Sequence, residues 1–285
     1  MKKVLFLLAL VALVGCERMG DDTPSDGNVT LSFVPSTSDI GTRGTVYVGD
    51  YFSKLNVQLF DSDGNKVFSS VRTQLREDED FGQMRLSLAV GTYTVVAVGH
   101  SSIKSATIKS PQMVQFTASD GEKLTDTFCH CGQVTVSESG GSFSLTMNRV
   151  AAMLQIKCTD TDIPESFARL KIDYTGGSAN FNPSTSEGTT KSTQSETRQR
   201  NASGVYQCFT FPYMASTCKL KVTISSLTED GTIIRQRTLE NVPMTRNRIT
   251  TYEGPIFESG DGNITQTAFG FTVNADWDRE DIYEF

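Results

Sequence analysis

The apolar residues of this chain recur at every second position. Leu55, Val57 and Leu59 alternate in KLNVQLF; Met84, Leu86, Leu88 and Val90 in QMRLSLAV; Phe143, Leu145 and Met147 in SFSLTM. The spacing returns with Leu170, Ile172 and Tyr174 in RLKIDY, and with Cys218, Leu220, Val222 and Ile224 in CKLKVTIS. A period of two sends successive side chains to opposite faces, so each run predicts a half-buried strand. TYTVVAV is apolar on both sides, with Tyr93, Val95 and Ala97 opposite Val96 and Val98, which predicts a strand covered on both faces. Turn chemistry separates the runs: DSDGN, VGT, SGG, TEDGT and SGDGN. No long stretch has helical period, and the best short helix candidate is IPESFARL, with Pro164 near a first turn. The fold class that follows is all-β, built of antiparallel β-sandwiches.

The N-terminus decides where such a chain works. Lys2 and Lys3 precede an apolar run from Val4 to Val14, the length of a secretory signal and too short to span a bilayer as a helix. Leu13-Val14-Gly15-Cys16 reads as a lipobox, so residues 1–15 are the expected leader and Cys16 the expected lipidation site. Two or three acyl chains hold a protein firmly, at about 0.8 kcal/mol per buried methylene. The polar, acidic stretch that follows, residues 16–28, reads as a tether. Of 26 basic residues two lie in the leader, leaving 24 against 33 acidic residues. That balance argues against a nucleic-acid partner, which asks for a basic face. No later apolar run approaches transmembrane length, so the mature chain is expected to be anchored, not spanning.

The remaining length suits two domains, 29–147 and 148–285, parted after the polar SESGGSFS and before the apolar NRVAAMLQIKC. Asn182 to Gly204 is rich in Ser and Thr and has no large apolar residue, which predicts a mobile surface loop. No short-period repeat is visible, although two halves of this size can share an architecture that inspection misses. Beyond Cys16 there are five cysteines, an odd number. Cys208 and Cys218 flank FPYMAS and would face each other in a symmetric hairpin about Tyr213, making them the candidate disulfide. Buried apolar thiols are the default for the others.

Catalytic and metal motifs are wanting. The two histidines, His100 and His130, form no HExxH. In Cys129-His130-Cys131 a regular strand would point the cysteines one way and the imidazole the other, so the three cannot close on one metal. Asp61-Ser62-Asp63-Gly64-Asn65 departs from a calcium loop, with Lys66 at its sixth position and Arg72 at its twelfth, and reads as a hairpin turn in which Gly64 or Asn65 takes positive φ. Ser101-x-x-Lys104 lacks the companion motifs of the penicillin-binding pattern. The acidic run from Arg76 to Gly82 reads as a solvated loop. The expectation is no catalytic site, no metal and no cofactor.

Several phrases then resemble a known family. GTRGTVYV, LNVQLFDSDGNKV, LAVGTYTVVAVGH, TDTF, MNRVAAMLQIKCTD and PMTRNRITTYEG follow one another in the order found in the fimbrillin and fimbrial-anchor superfamily of Bacteroidales, the type V pilus subunits. The resemblance runs from about residue 30 to 255. It implies two tandem transthyretin-like sandwiches on an exported lipoprotein of the outer membrane or cell surface. It also implies assembly by strand exchange, in which an Arg-specific protease removes an N-terminal segment and the C-terminal strand of another subunit fills the groove. Val29 to Pro35, with Val29, Leu31 and Phe33 alternating, fits the removable strand, and Arg43-Gly44 in a small polar loop is the candidate cleavage site. The other reading is a permanent strand and a solvated Arg43. Phe269, Phe271 and Val273 suit a donated strand, or one that closes its own domain. In surface lipoproteins of this kind, acidic residues such as Glu17, Asp21 and Asp22 resemble an export signal, or serve only as a solvated linker. Implied partners are other fimbrial subunits, the outer membrane through the lipid, and a host or bacterial surface receptor. A glycan-binding surface lipoprotein is the alternative, though one Trp and few Tyr make poor aromatic platforms; an enzyme is disfavoured by the missing constellations.

Overall fold

A computed structural model describes residues 27–36, 47–116, 124–214 and 218–257, together with the backbone of 271–274. Nineteen strands run in order: β1 (Val29–Pro35), β2 (Lys54–Phe60), β3 (Arg72–Leu75), β4 (Gln83–Leu86), β5 (Gly91–His100), β6 (Thr107–Ser110), β7 (Met113–Gln115), β8 (Thr127–Val136), β9 (Gly141–Arg149), β10 (Ala152–Cys158), β11 (Arg169–Thr175), β12 (Asn180–Asn182), β13 (Glu187–Gly188), β14 (Thr193–Gln199), β15 (Val205–Thr210), β16 (Lys219–Leu227), β17 (Ile233–Pro243), β18 (Ile249–Gly254) and β19 (Phe271–Asn274). Among the described residues the only helical piece is a 3-10 turn at Val48–Asp50. The chain is all-β, as its period predicts.

The N-terminal strands form one sheet in the order β3-β2-β5-β8-β9-β1-β4. β8 pairs with β5 over ten residues, whereas β8 and β9 pair only at Phe128↔Arg149 and Cys129↔Asn148, with a bridge at Ser137↔Gly140 by the turn. Between those points the two strands part, and the sheet turns back on itself. Its two arms enclose a core of Val29, Leu31 and Phe33 with Leu55, Val57, Leu59, Phe128 and Met147. The C-terminal strands make two sheets, β15-β10-β18-β19 and β14-β11-β16-β17. Leu154, Ile156 and Tyr252 of the first meet Leu170, Ile172, Leu220, Val222 and Ile224 of the second.

The halves repeat one topology. In the first, β1 lies antiparallel to β4 and parallel to β9; in the second, β10 lies antiparallel to β15 and parallel to β18. The facing layers correspond as well: β3-β2-β5-β8 matches β14-β11-β16-β17 strand for strand. Each half carries one insertion, β6 and β7 in the first and β12 and β13 in the second. The insertions pair with each other through β7 and β12 into a small shared sheet. Beneath it a third core joins the halves, with Phe60, Val96 and Val98 packing with Ala151, Met153, Phe181, Phe209 and Phe211. β5 explains its doubly apolar sequence here: Val95 and Ala97 face the first core, Val96 and Val98 the third.

Two expectations fail. IPESFARL is no helix: the N–H of Phe167 closes a single turn on the carbonyl of Pro164 at 3.0 Å, and β11 begins at Arg169. The window is too short to nucleate a helix in water, and the alternation of Leu170, Ile172 and Tyr174 claims its end for a strand. The Ser/Thr-rich stretch from Asn182 to Gly204 is no plain surface loop, since it contributes β13 and the seven-residue strand β14. Gln194, Glu196 and Arg198 of β14 are all buried. The strand was hidden because its inward residues are polar and are paired instead of greasy.

Candidate functional site

β1 is built into its sheet from both sides. Seven of its residues pair in parallel with β9, from Val29↔Gly141 to Pro35↔Met147, and four pair antiparallel with β4, from Val29↔Leu86 to Ser32↔Gln83. Val29, Leu31 and Phe33 point inward and are essentially unexposed, while Thr30, Ser32 and Val34 face outward, half-buried. Each inward side chain contributes about 1.5–3 kcal/mol by leaving water. Asn28 fixes the entry: its Nδ2 donates to the Leu88 carbonyl at 2.8 Å and its Oδ1 accepts the Leu88 N–H at 2.9 Å. The Asn28 carbonyl accepts the N–H of Gly141 at 3.0 Å. Gly140, at φ +76°, lets the β8–β9 turn come this close, since a Cβ there would lie 1.9 Å from the Asn28 oxygen. Take β1 away, and β9 and β4 each lose a partner strand while a strip of core faces water.

The flanks of the C-terminal half are closed by side chains. Arg198 of β14 donates from Nε and Nη2 to the Gln207 carbonyl of the edge strand β15, at 3.3 and 3.2 Å, and pairs with Glu196. Tyr174 donates its hydroxyl towards Glu196 and lies 2.9 Å from the Phe209 carbonyl. Burial and the neighbouring Glu196 carboxylate push the Tyr174 phenol well above its usual range. On the other flank, Arg237 of β17 donates from Nε to the Ile256 carbonyl at 3.1 Å. Arginines on both edge strands of one sheet thus reach across to backbone oxygens of chain on the opposite side. β19 lies on the outer edge of β18, from Ile249↔Asn274 to Tyr252↔Phe271. In this structure the C-terminal strand therefore sits in its own half.

Cys16, and Arg43 with Gly44, lie outside the described residues. The hairpin expected to face Cys208 with Cys218 does not form: β15 pairs with β10 and β16 with β11 and β17, in different sheets. Neither cysteine is disulfide-bonded in this structure, and both are buried in the C-terminal core. Among the described residues no group of His, Cys, Asp and Glu is placed to hold a metal. In Cys129-His130-Cys131 the cysteines share the third core, and His130 lies 2.9 Å through Nδ1 from the Thr146 carbonyl. DSDGN is a turn: Asp61 accepts the N–H groups of Asp63 and Asn65 at 3.0 and 2.8 Å, and Gly64 takes positive φ, +82°. The Asn65 N–H, first among its bonds, holds the Asp61 carboxyl below its usual range. Missed altogether was the junction pair: Arg149 donates from Nε to both oxygens of Asp126, at 2.9 and 3.0 Å, and both side chains are buried. Its sequence signal was a lone basic residue inside the apolar run NRVAAMLQI.

The family of fimbrillin-A associated anchor proteins Mfa1 and Mfa2 matches residues 19–283. The chain belongs to this family. Among solved structures, a candidate adhesin from Bacteroides ovatus is similar at 11% identity, covering 86% of this chain and 94% of its own, with a TM-score of 0.50. A candidate cell adhesion protein from Bacteroides eggerthii is similar at 11% identity over 90% and 97%, again at 0.50. The fimbrial anchor protein Mfa2 from Porphyromonas gingivalis is similar at 14% identity over 79% and 89%, at 0.43. Among curated proteins nothing matches. Membership of the anchor family gives the chain a non-enzymatic role of fimbrial or adhesive kind, at the cell surface or in fimbriae, in company with other fimbrial subunits.

Proposed function

We propose that this protein is a lipid-anchored fimbrial subunit or anchor of two β-sandwich domains, 29–147 and 148–285, which joins its neighbours by strand exchange at the seat of β1 and supports adhesion. The observation that carries the reading is β1 itself. It is the first described strand, it lies between two partners, and it fills the core with only Val29, Leu31 and Phe33. A strand so placed can be replaced by another of the same alternation without disturbing the rest of the fold, as in other cases of strand addition. The lipid on Cys16 would hold an anchor to the outer membrane, and cutting after Arg43 would release β1 from a polymerising subunit.

Mass spectrometry of the N-terminus, on protein from its native cells, tests this. A start at lipidated Cys16 assigns the anchor role with β1 retained. A start at Gly44 assigns a polymerising subunit with β1 removed. A start at neither overturns the reading.

A further inference from the structure

The C-terminal half has a cavity with no residue of β1 in its lining. It holds about 150 Å³ and opens where β10 ends, between the β14–β15 turn and the chain leaving β18. β10 begins at the junction of the halves and runs away from it, so the cavity lies at the far pole of this sandwich. A cavity of about 150 Å³ takes one six-membered ring. Phe167 and Phe257 form an aromatic corner, with ring centroids 4.9 Å apart and edge to face. The Arg200 guanidinium stands over Phe167, 5.9 Å from its centre.

The rim is preformed. Asn201 donates to the Val205 carbonyl at 3.0 Å, and Ser203 donates to Asn201 Oδ1 at 2.9 Å, which holds the turn in shape. Tyr206 lines the wall and is buried, and burial raises its phenol. A phenol raised in this way keeps its proton, so the Tyr206 hydroxyl can donate to a group that enters. Arg200 donates from Nη1 to the Phe167 carbonyl at 3.5 Å and lines the cavity with further N–H groups to give. An apolar ring would leave the buried Tyr206 hydroxyl unmet, at the usual cost of a desolvated polar group. An anion is not favoured either, because the Asp160 carboxylate lines the same cavity and offsets the charge of Arg200. That carboxylate is fixed, since it accepts the N–H groups of Ile256 and Phe257. What suits these walls is a neutral ring with hydroxyl groups on its edge and C–H groups on its face.

We propose that this cavity binds a single neutral pyranose, as at the end of a surface glycan, with Arg200 and Tyr206 donating to its hydroxyls and Phe167 and Phe257 against its face. The inference does not depend on how the protein assembles. One ring, with few atoms in contact, fixes the affinity in the millimolar range.

The test is an amide NMR titration of the mature protein with free glucose, galactose, mannose and N-acetylglucosamine, beside glucuronate and benzoate. Saturable millimolar shifts of the Ser203 and Gly204 amides with at least one neutral sugar are expected. They should be lost in Arg200→Ala, whose side chain is exposed, and in Ala202→Trp, which covers the mouth, with the rest of each spectrum unchanged. No saturable shift with any neutral sugar overturns the proposal. So does binding of benzoate or glucuronate alone, or sugar binding that survives both substitutions. Loss of sugar binding would leave the N-terminus found by mass spectrometry unaffected, so the two accounts fail separately.

Discussion

Arg149 binds Asp126 through Nε, at 2.9 and 3.0 Å to the two carboxylate oxygens, and reaches with Nη1 to Asn247 Oδ1 at 3.1 Å. Asp126 and Arg149 flank β8 and close β9, while Asn247 belongs to the β17–β18 connection. One guanidinium, 4.7 Å from the centre of the Phe128 ring, therefore holds both halves at their junction.

Removing it should be severe. Arg149→Ala leaves the Asp126 carboxylate buried without its cation, and breaking a buried pair in this way costs about 3–5 kcal/mol. Arg149→Lys should recover only part, because an ammonium cannot make the planar fork to carboxylate and amide. Urea denaturation of the three proteins at neutral pH checks both. A loss below 1 kcal/mol for the alanine variant would contradict the role given to the pair.

The shared core and the β7–β12 pairing should make the halves unfold together. We expect one denaturation transition, with coincident curves from tyrosine fluorescence and far-UV circular dichroism. Two separated transitions would mean that the third core does not couple them.

His100 gives a pH signature. It is fully buried, with Nε2 donating to Asn56 Oδ1 at 2.8 Å and Nδ1 accepting the Ser102 N–H at 3.1 Å. Burial, and then the nearby Lys54 charge, lower its pKa from 6.5 to about 3. The unfolded chain thus takes the proton first as pH falls. Stability from this group is complete above about 6.5 and is lost progressively towards 3, by at most about 1.4 kcal/mol per pH unit. The urea midpoint should drop between pH 7 and about pH 4.5, and His100→Gln should flatten that drop. An equal slope in the variant would show that other groups carry it.

The buried pair of β14 can be separated from its neighbours by a double-mutant cycle. Glu196→Leu and Arg198→Met should each destabilise strongly, while the double variant should cost less than either, because no charge is then left alone in the core. Strict additivity would contradict the coupling.

The sequence carried the strands that alternate grease with polarity: the alternation held in β4, β9, β11 and β16, and β5 is buried on both faces as its doubly apolar run predicts. It did not carry β14, because Gln194, Glu196 and Arg198 look like a solvated stretch until Tyr174 and the Gln207 carbonyl are placed beside them. Nor did it carry the internal repeat. The repeat lies in which strands pair, parallel β1 with β9 and parallel β10 with β18, and no common residues mark it. The Cys208 and Cys218 pairing misled because closeness along the chain suggested a hairpin, whereas the chain crosses between sheets there. The cavity was illegible for a similar reason: Phe167, Arg200, Tyr206 and Phe257 meet only in the fold.

The seat of β1 should be the most sensitive apolar site of the first half. Leu31→Ala should cost about 2–5 kcal/mol, read from the urea midpoint, and should hasten proteolysis of the N-terminal half. A cost near zero would mean that β1 is not part of the folded core in solution.

The measurement that bears most directly on the account is cleavage after Arg43 with an Arg-specific protease, followed by light scattering with and without added VTLSFVP peptide. The account predicts that the chain shorn of β1 either polymerises or takes up the peptide and regains its stability. A folded monomer with unchanged melting temperature and no affinity for the peptide would contradict it.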